Sequence, residues 1–148
     1  MVRSRWPAPR SYAWHSTKDG EYSLYSQNIA EENYLRGVQE ADANGALSFT
    51  SILPGCYSGR WPHIHFEVYP ALADATGGGS PIATSQLALP EDACATVYAS
   101  DGCSQSVQNL AQTSLESDLV FGDGYAQQLA TTTGTVDAGY VAELSVGV

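Results

Sequence analysis

The chain predicts an all-β fold, an antiparallel β-sandwich with long loops and one short helix, on three observations. Turn signals recur at short spacing: Asp19-Gly20, Asn44-Gly45, Pro54-Gly55, Gly77-Gly78-Gly79, Asp101-Gly102, Gly122-Asp123-Gly124 and Gly134. Short apolar or alternating runs lie between them, the pattern of strands joined by loops. Charged residues are only 15% of the 148, while Gly, Ser, Thr, Ala and Gln abound, which argues against a helical bundle. The length fits one domain with a sizeable core, assigned to residues 12–148 behind an irregular tail at 1–11.

The elements follow in order. "MVRSRWPAPRS" has neither strand alternation nor helix periodicity, and it lacks the apolar stretch of a signal peptide as it stands. "ALSFTSI", 46–52, alternates and follows the Asn44-Gly45 turn, so it reads as a strand. "HIHFEVY", 63–69, is the clearest strand: Ile64, Phe66 and Val68 take one face, and His63, His65, Glu67 and Tyr69 the other. The Gly-rich stretch 70–80 reads as loop. "PEDACATVYA", 90–99, is the one helix, with Pro90 at its first turn and Glu91 and Asp92 near the positive end of its dipole. "YVAELSVGV" closes the chain as a strand with Ala142, Leu144, Val146 and Val148 on one face.

Composition excludes several function classes. A net charge of −10 repels phosphate backbones, so nucleic acid is not an expected partner. No apolar run reaches the length of a membrane span. The three cysteines, Cys56, Cys94 and Cys103, form no CxxC pair, which excludes a zinc ribbon or thioredoxin-type motif. Cys94 and Cys103 suit either a disulfide in an exported protein or two buried free thiols. The Lys-poor, Ser/Thr/Gln-rich composition fits a secreted or extracytoplasmic location.

Chemistry concentrates in "PGCYSGRWPHIHF", 54–66. His63 and His65 sit two apart in a strand, so both imidazoles project from one face and offer two metal ligands from rigid backbone. The same pair also suits a wetted sheet face. Tyr57 stands six residues before His63. A phenol, with an ordinary pKa of about 10, ionises beside a trivalent cation. Imidazoles with phenolates make a hard, anionic donor set that favours ferric iron over zinc. Nine tyrosines are available for a second phenolate, and composition does not choose among them.

The joint pattern G-x-Y-S at 20–23, L-R-G-x-Q at 35–39, P-G-x-Y-x-G-R at 54–60 and H-I-H at 63–65, followed by "TSQLALPED", resembles the intradiol ring-cleavage dioxygenases. The chain is most similar to their smaller bacterial and fungal relatives, over about residues 12–148. The resemblance implies a β-sandwich core holding one non-haem Fe(III) through Tyr22, Tyr57, His63 and His65. It implies catalytic roles for Arg60, which stabilises the activated substrate, for Tyr57, which the substrate replaces on the metal, and for Gln86 beside the site. The implied partners are a small aromatic diol and O2, and the implied product is a cis,cis-muconate-type diacid. Ser16 departs from the Cys that follows "WH" in many relatives. The loop between Tyr57 and Arg60 is short, which implies an open pocket, and the start reads as truncated beside the family, leaving an edge that suits a homodimer.

Other readings of the same residues remain open. His63, His65 and Glu67 share a strand face and suit a cupin-like metal site. A β-sandwich binding module that kept the motif without activity is another. Tyr25, three after Tyr22, competes with it as a ligand. Arg36 reads as a loop anchor ahead of a substrate contact, and His15 as structural. Trp14 and Trp61 suit either a pocket wall or the core.

Overall fold

The computed structural model describes residues 8–100 and 102–148. Four strands form the main sheet: β1 (Arg10–Trp14), β2 (Arg36–Glu40), β3 (His63–Tyr69) and β4 (Ala83–Ala88), in the order β2-β1-β3-β4 with every pair antiparallel. A second, two-stranded sheet pairs β5 (Thr131–Thr135) with β6 (Gly139–Glu143). Three short α-helices, α1 (Leu72–Gly77), α2 (Glu91–Tyr98) and α3 (Ser104–Leu110), and a 3-10 turn at Gln27–Ile29 complete the described elements.

The alternation of "HIHFEVY" makes β3 the centre of the sheet. Ile64, Phe66 and Val68 pack on Ala13 of β1, with Leu87 of β4 and Leu144 against the same cluster. The opposite face carries His63 and His65. Register then sets their neighbours: His65 lies opposite Trp14 on one side and Gln86 on the other. A second cluster joins Cys56, Leu89, Cys94, Tyr98 and Cys103, and a third joins Trp61, Ala88 and Phe121.

Several expectations change. Among the described residues there are three short α-helices and a 3-10 turn (Gln27–Ile29), not one helix. Helix α1 lies within the stretch read as loop and ends at Gly78, whose N–H donates to the Asp74 carbonyl. Helix α3 begins two residues after Gly102 and is only seven polar-rich residues long; Asp101 of that turn signal lies outside the described residues. Residues 46–52 form no strand. The Asn44-Gly45 turn is present, and Asp42 Oδ1 accepts the N–H groups of Asn44 and Ala46. No described strand runs beside 46–52 to complete a ladder, however, and Ile52 is 50% exposed. Strand β6 stops at Glu143, and Leu144 turns into the core beside Phe66. Arg10 and Ser11, read as tail, belong to β1: Arg10 pairs with Glu40 of β2 at 2.5 Å. Residues 1–7 of that tail lie outside the described residues. Cys56, Cys94 and Cys103 are free, buried thiols; Cys94 and Cys103 share the core cluster without a bond.

Candidate metal and substrate site

Two loops carry the tyrosines, and backbone packing brings them together. Residues 17–20 lie against 54–57 so tightly that a Cβ at Gly55 would stand 2.5 Å from both the Thr17 and Lys18 carbonyl oxygens. A Cβ at Gly20, where φ is +82°, would overlap the Cys56 carbonyl. Gly55 N–H donates to Thr17 O (2.9 Å), and the buried Ser16 hydroxyl donates to Gly55 O (3.1 Å). Helix α3 clamps the join. Ser106 Oγ donates to Lys18 O (2.5 Å) and accepts Cys56 N–H (3.0 Å), and Asn109 Nδ2 donates to Cys56 O (2.8 Å).

Tyr22 is held within its own turn. Its N–H donates to Ser26 Oγ, and its carbonyl accepts Ser26 N–H, both at 2.8 Å. Arg36 braces this turn from β2, donating to Ser23 Oγ (3.3 Å), to Ser23 O (3.0 Å) and to the Tyr12 hydroxyl. Its guanidinium lies 5.9 Å from the Tyr25 ring centre. The loop-anchor reading of Arg36 therefore describes its contacts.

The donor atoms converge. Tyr22 Oη donates to His63 Nε2 at 3.2 Å, and His63 Nε2 and His65 Nε2 are 3.0 Å apart. The Tyr57 ring meets the Tyr22 ring edge-on, with centres 5.5 Å apart. His63 Nδ1–H donates to the Trp61 carbonyl, which leaves the Nε2 lone pair facing the other donors. Trp14 stacks flat on His65, centres 4.7 Å apart and planes 3° apart, fixing that ring from β1. Gln86 Nε2 lies 3.2 Å from His65 Nδ1 on the β4 side. Trp14, Tyr22, Tyr25, Ser26, Tyr57, Arg60, His63 and His65 line an open pocket of about 410 Å³.

Electrostatics suit a cation. Burial lowers the pKa of His63 to about 4; the Trp61 carbonyl opposes the shift, and the Arg60 guanidinium adds to it. Burial and Arg60 likewise bring His65 to about 4. Both rings are therefore neutral and able to ligate near pH 7. Burial pushes the Tyr22 phenol well above its usual value, and Arg60 offsets only part of this. On its own Tyr22 stays a phenol, so its ionisation needs a nearby cation. Among the described residues no group of three or more His, Cys, Asp or Glu side chains is arranged to hold a metal ion. The donor set present is two imidazoles and two phenols, which suits ferric iron among common metals.

Arg60 lies at the pocket's edge beside an acid the sequence did not single out. Asp118, whose side chain is fully inaccessible, takes Arg60 Nε at 2.9 Å and Nη2 at 3.3 Å. Arg60 Nη2 also donates to Gln86 Oε1 at 2.6 Å. Gln86 thus links the guanidinium to His65 without lining the pocket itself. Removing one member of such a buried pair costs about 3–5 kcal/mol. Asp118 lies 58 residues from Arg60 in no local motif. Its one signal is a single acid entering the apolar run Leu119-Val120-Phe121.

Other residues fall elsewhere. Glu67 accepts the Tyr69 hydroxyl at 2.5 Å and does not line the pocket, so a His63/His65/Glu67 triad does not form. Tyr25 sits at the rim, 73% exposed. Trp61 is in the core with Nε1–H donating to Leu89 O, whereas Trp14 is at the site. His15 is buried between Ser16 O and Ser51 Oγ, both at 2.7 Å, in a structural role.

Comparison with known proteins agrees with this geometry at the level of fold. No protein-family model matches the chain, and no curated protein does. Among solved structures, an intradiol ring-cleavage dioxygenase from Tetranychus urticae superposes with a TM-score of 0.72 at 20% identity, over 93% of this chain and 69% of its own. The chain has the intradiol dioxygenase fold. A further dioxygenase matches with a TM-score of 0.70 at 21% identity, covering 85% of this chain and 63% of its own. The dioxygenase domain of a carbohydrate-binding fusion protein from Streptomyces sp. SirexAA-E gives 0.56 at 20% identity, covering 93% and 65%. The chain therefore spans about two thirds of the length of these three structures.

Proposed function

We propose that this chain is a non-haem Fe(III) intradiol dioxygenase that cleaves a small catechol-type aromatic with O2. Tyr22 and Tyr57 from two loops and His63 and His65 from β3 hold the metal, and the two antiparallel sheets are read as the layers of a β-sandwich. The observation that carries this is His63 Nε2 standing 3.2 Å from Tyr22 Oη and 3.0 Å from His65 Nε2, in a pocket that Tyr57 and Arg60 also line. Bound there, Fe(III) supplies the Lewis acidity that activates an aromatic diol toward O2.

The protein's own groups do the rest. His63 keeps its proton on Nδ1, against the Trp61 carbonyl, and presents Nε2 to the metal. Trp14 stops His65 from rotating. Tyr57, 43% exposed, is the less buried phenol, so it would be the one to give way to a diol and to accept its proton. Arg60 stabilises negative charge that develops on the substrate during ring opening. Gln86 holds Arg60 and His65 in mutual register. The bond between the two oxygen-bearing carbons breaks, both atoms of O2 enter the product, and a cis,cis-muconate-type diacid results.

The experiment is oxygen uptake by the iron-loaded protein with catechol, with mass analysis of the product formed under 18O2. Uptake of one O2 per catechol and a diacid carrying both labelled atoms are expected. A product with one label, or ring opening outside the diol carbons, refutes intradiol cleavage. Iron binding without uptake favours a binding module that kept the ligands.

A further inference from the structure

We propose that Asp118 is the positioning residue for Arg60, holding the guanidinium where substrate charge develops. The proposal rests on the dioxygenase reading of the site. Asp118 is one of only two acids in ion pairs among the described residues, and the only one whose side chain is wholly inaccessible. Five donors converge on it. Oδ2 takes Arg60 Nε (2.9 Å) and Trp61 N–H (2.8 Å). Oδ1 takes Val120 N–H (2.8 Å), Phe121 N–H (3.1 Å) and Arg60 Nη2 (3.3 Å). The three backbone donors fix the carboxylate, and the carboxylate in turn fixes the guanidinium.

Arg60 is thereby tied along one edge. Nε and Nη2 are taken by Asp118, and Nη2 also by Gln86. Nη1 makes no hydrogen bond among the described residues, and Arg60 lines the pocket. A guanidinium held this way needs no reorganisation when negative charge appears beside it, the condition under which a fixed dipole or cation is most effective. Burial raises the Asp118 pKa, but the hydrogen bonds from Arg60, Trp61, Val120 and Phe121 more than offset this, and the group stays ionised below the usual carboxylate range. An Asn at 118 cannot reproduce the clamp. Both oxygens accept only donors, so the amide NH2 faces N–H groups in either orientation.

The test compares D118N, R60A and the double variant, each iron-loaded, with catechol. D118N is expected to lower kcat about 10- to 100-fold, the cost of a group misplaced by about 1 Å. KM and the ferric-tyrosinate absorption band stay near wild type. The double variant is expected to be no slower than R60A, because Asp118 acts through Arg60. Wild-type kcat in D118N, or losses that multiply in the double variant, overturns the proposal. A readout without metal accompanies this: the Arg60 Nε–H signal in the 15N spectrum of the metal-free protein, slow to exchange in wild type and fast in D118N. If D118N does not fold, the wild-type signal decides, and fast exchange there overturns the clamp. A wild-type protein with neither band nor turnover sinks the dioxygenase reading, while the exchange measurement still reports on the clamp.

Discussion

Ser106→Ala tests whether helix α3 holds the two tyrosine loops together. Ser106 is fully buried, and its hydroxyl bridges the loops by donating to Lys18 O at 2.5 Å and accepting Cys56 N–H at 3.0 Å. Removing the hydroxyl strands the N–H of Cys56, itself fully buried, at about 1–3 kcal/mol. It also deletes the bond to Lys18, worth about 0.5–1.5 kcal/mol. Together these amount to about 1.5–4.5 kcal/mol, a large share of a small domain's stability. Asn109 still holds the Cys56 carbonyl, so the loop loosens without leaving its place. Urea unfolding of the metal-free protein measures the loss, and Ser104→Ala, two residues earlier on the exposed face, is the control. The control is expected within about 0.5 kcal/mol of wild type. The loosened loops carry Tyr22 and Tyr57, so iron affinity should fall in Ser106→Ala as well. Stability of Ser106→Ala within that same margin refutes the clamp.

Other outcomes follow from the same contacts. Gly55→Ala places a Cβ against two backbone carbonyl oxygens that cannot yield, and it should cost about 1–3 kcal/mol or more, read as a lowered Tm; an unchanged Tm contradicts the close approach. His63 and His65 have folded pKa values of about 4 against 6.5 when unfolded, so the unfolded chain binds protons first as pH falls. Stability of the metal-free protein is then complete above about pH 6.5 and drains toward pH 4; equal urea midpoints at pH 5 and 7 rule this out. Cys56, Cys94 and Cys103 are buried, and burial pushes the Cys56 and Cys94 thiols up to about 12. A thiol reagent at pH 8 should label none of them until the protein unfolds, and labelling at the rate of a free thiol contradicts that packing.

What the sequence made legible tracks how local each signal is. Strand β3 was readable residue by residue, because alternation fixes which side chains share a face and His63 and His65 follow from it. Helix α2 was readable from Pro90 and the acids behind it. Residues 46–52 show the limit: alternation states a preference for the pleat, but a strand also needs a neighbour to bond, and none of the described strands provides one. Helices α1 and α3 are six and seven residues long, too short to show a period. At the site, Tyr57 stands out locally by its place six residues before His63, whereas Tyr22, Arg60 and Gln86 take their roles from the family resemblance, since nothing local distinguishes Tyr22 from the other tyrosines. Register explains afterwards why Gln86 and Trp14 flank His65. Asp118, Ser106 and Asn109 were invisible because their partners lie 50 or more residues away, joined only by the fold.

The most direct test of the central claim is the visible absorption spectrum of the iron-loaded protein, before and after catechol is added without oxygen. The account predicts a tyrosinate-to-Fe(III) band that is lost in the double variant of Tyr22→Phe and Tyr57→Phe and that shifts when catechol binds. A folded protein that takes up iron yet stays colourless, or a band indifferent to both tyrosines, would contradict it.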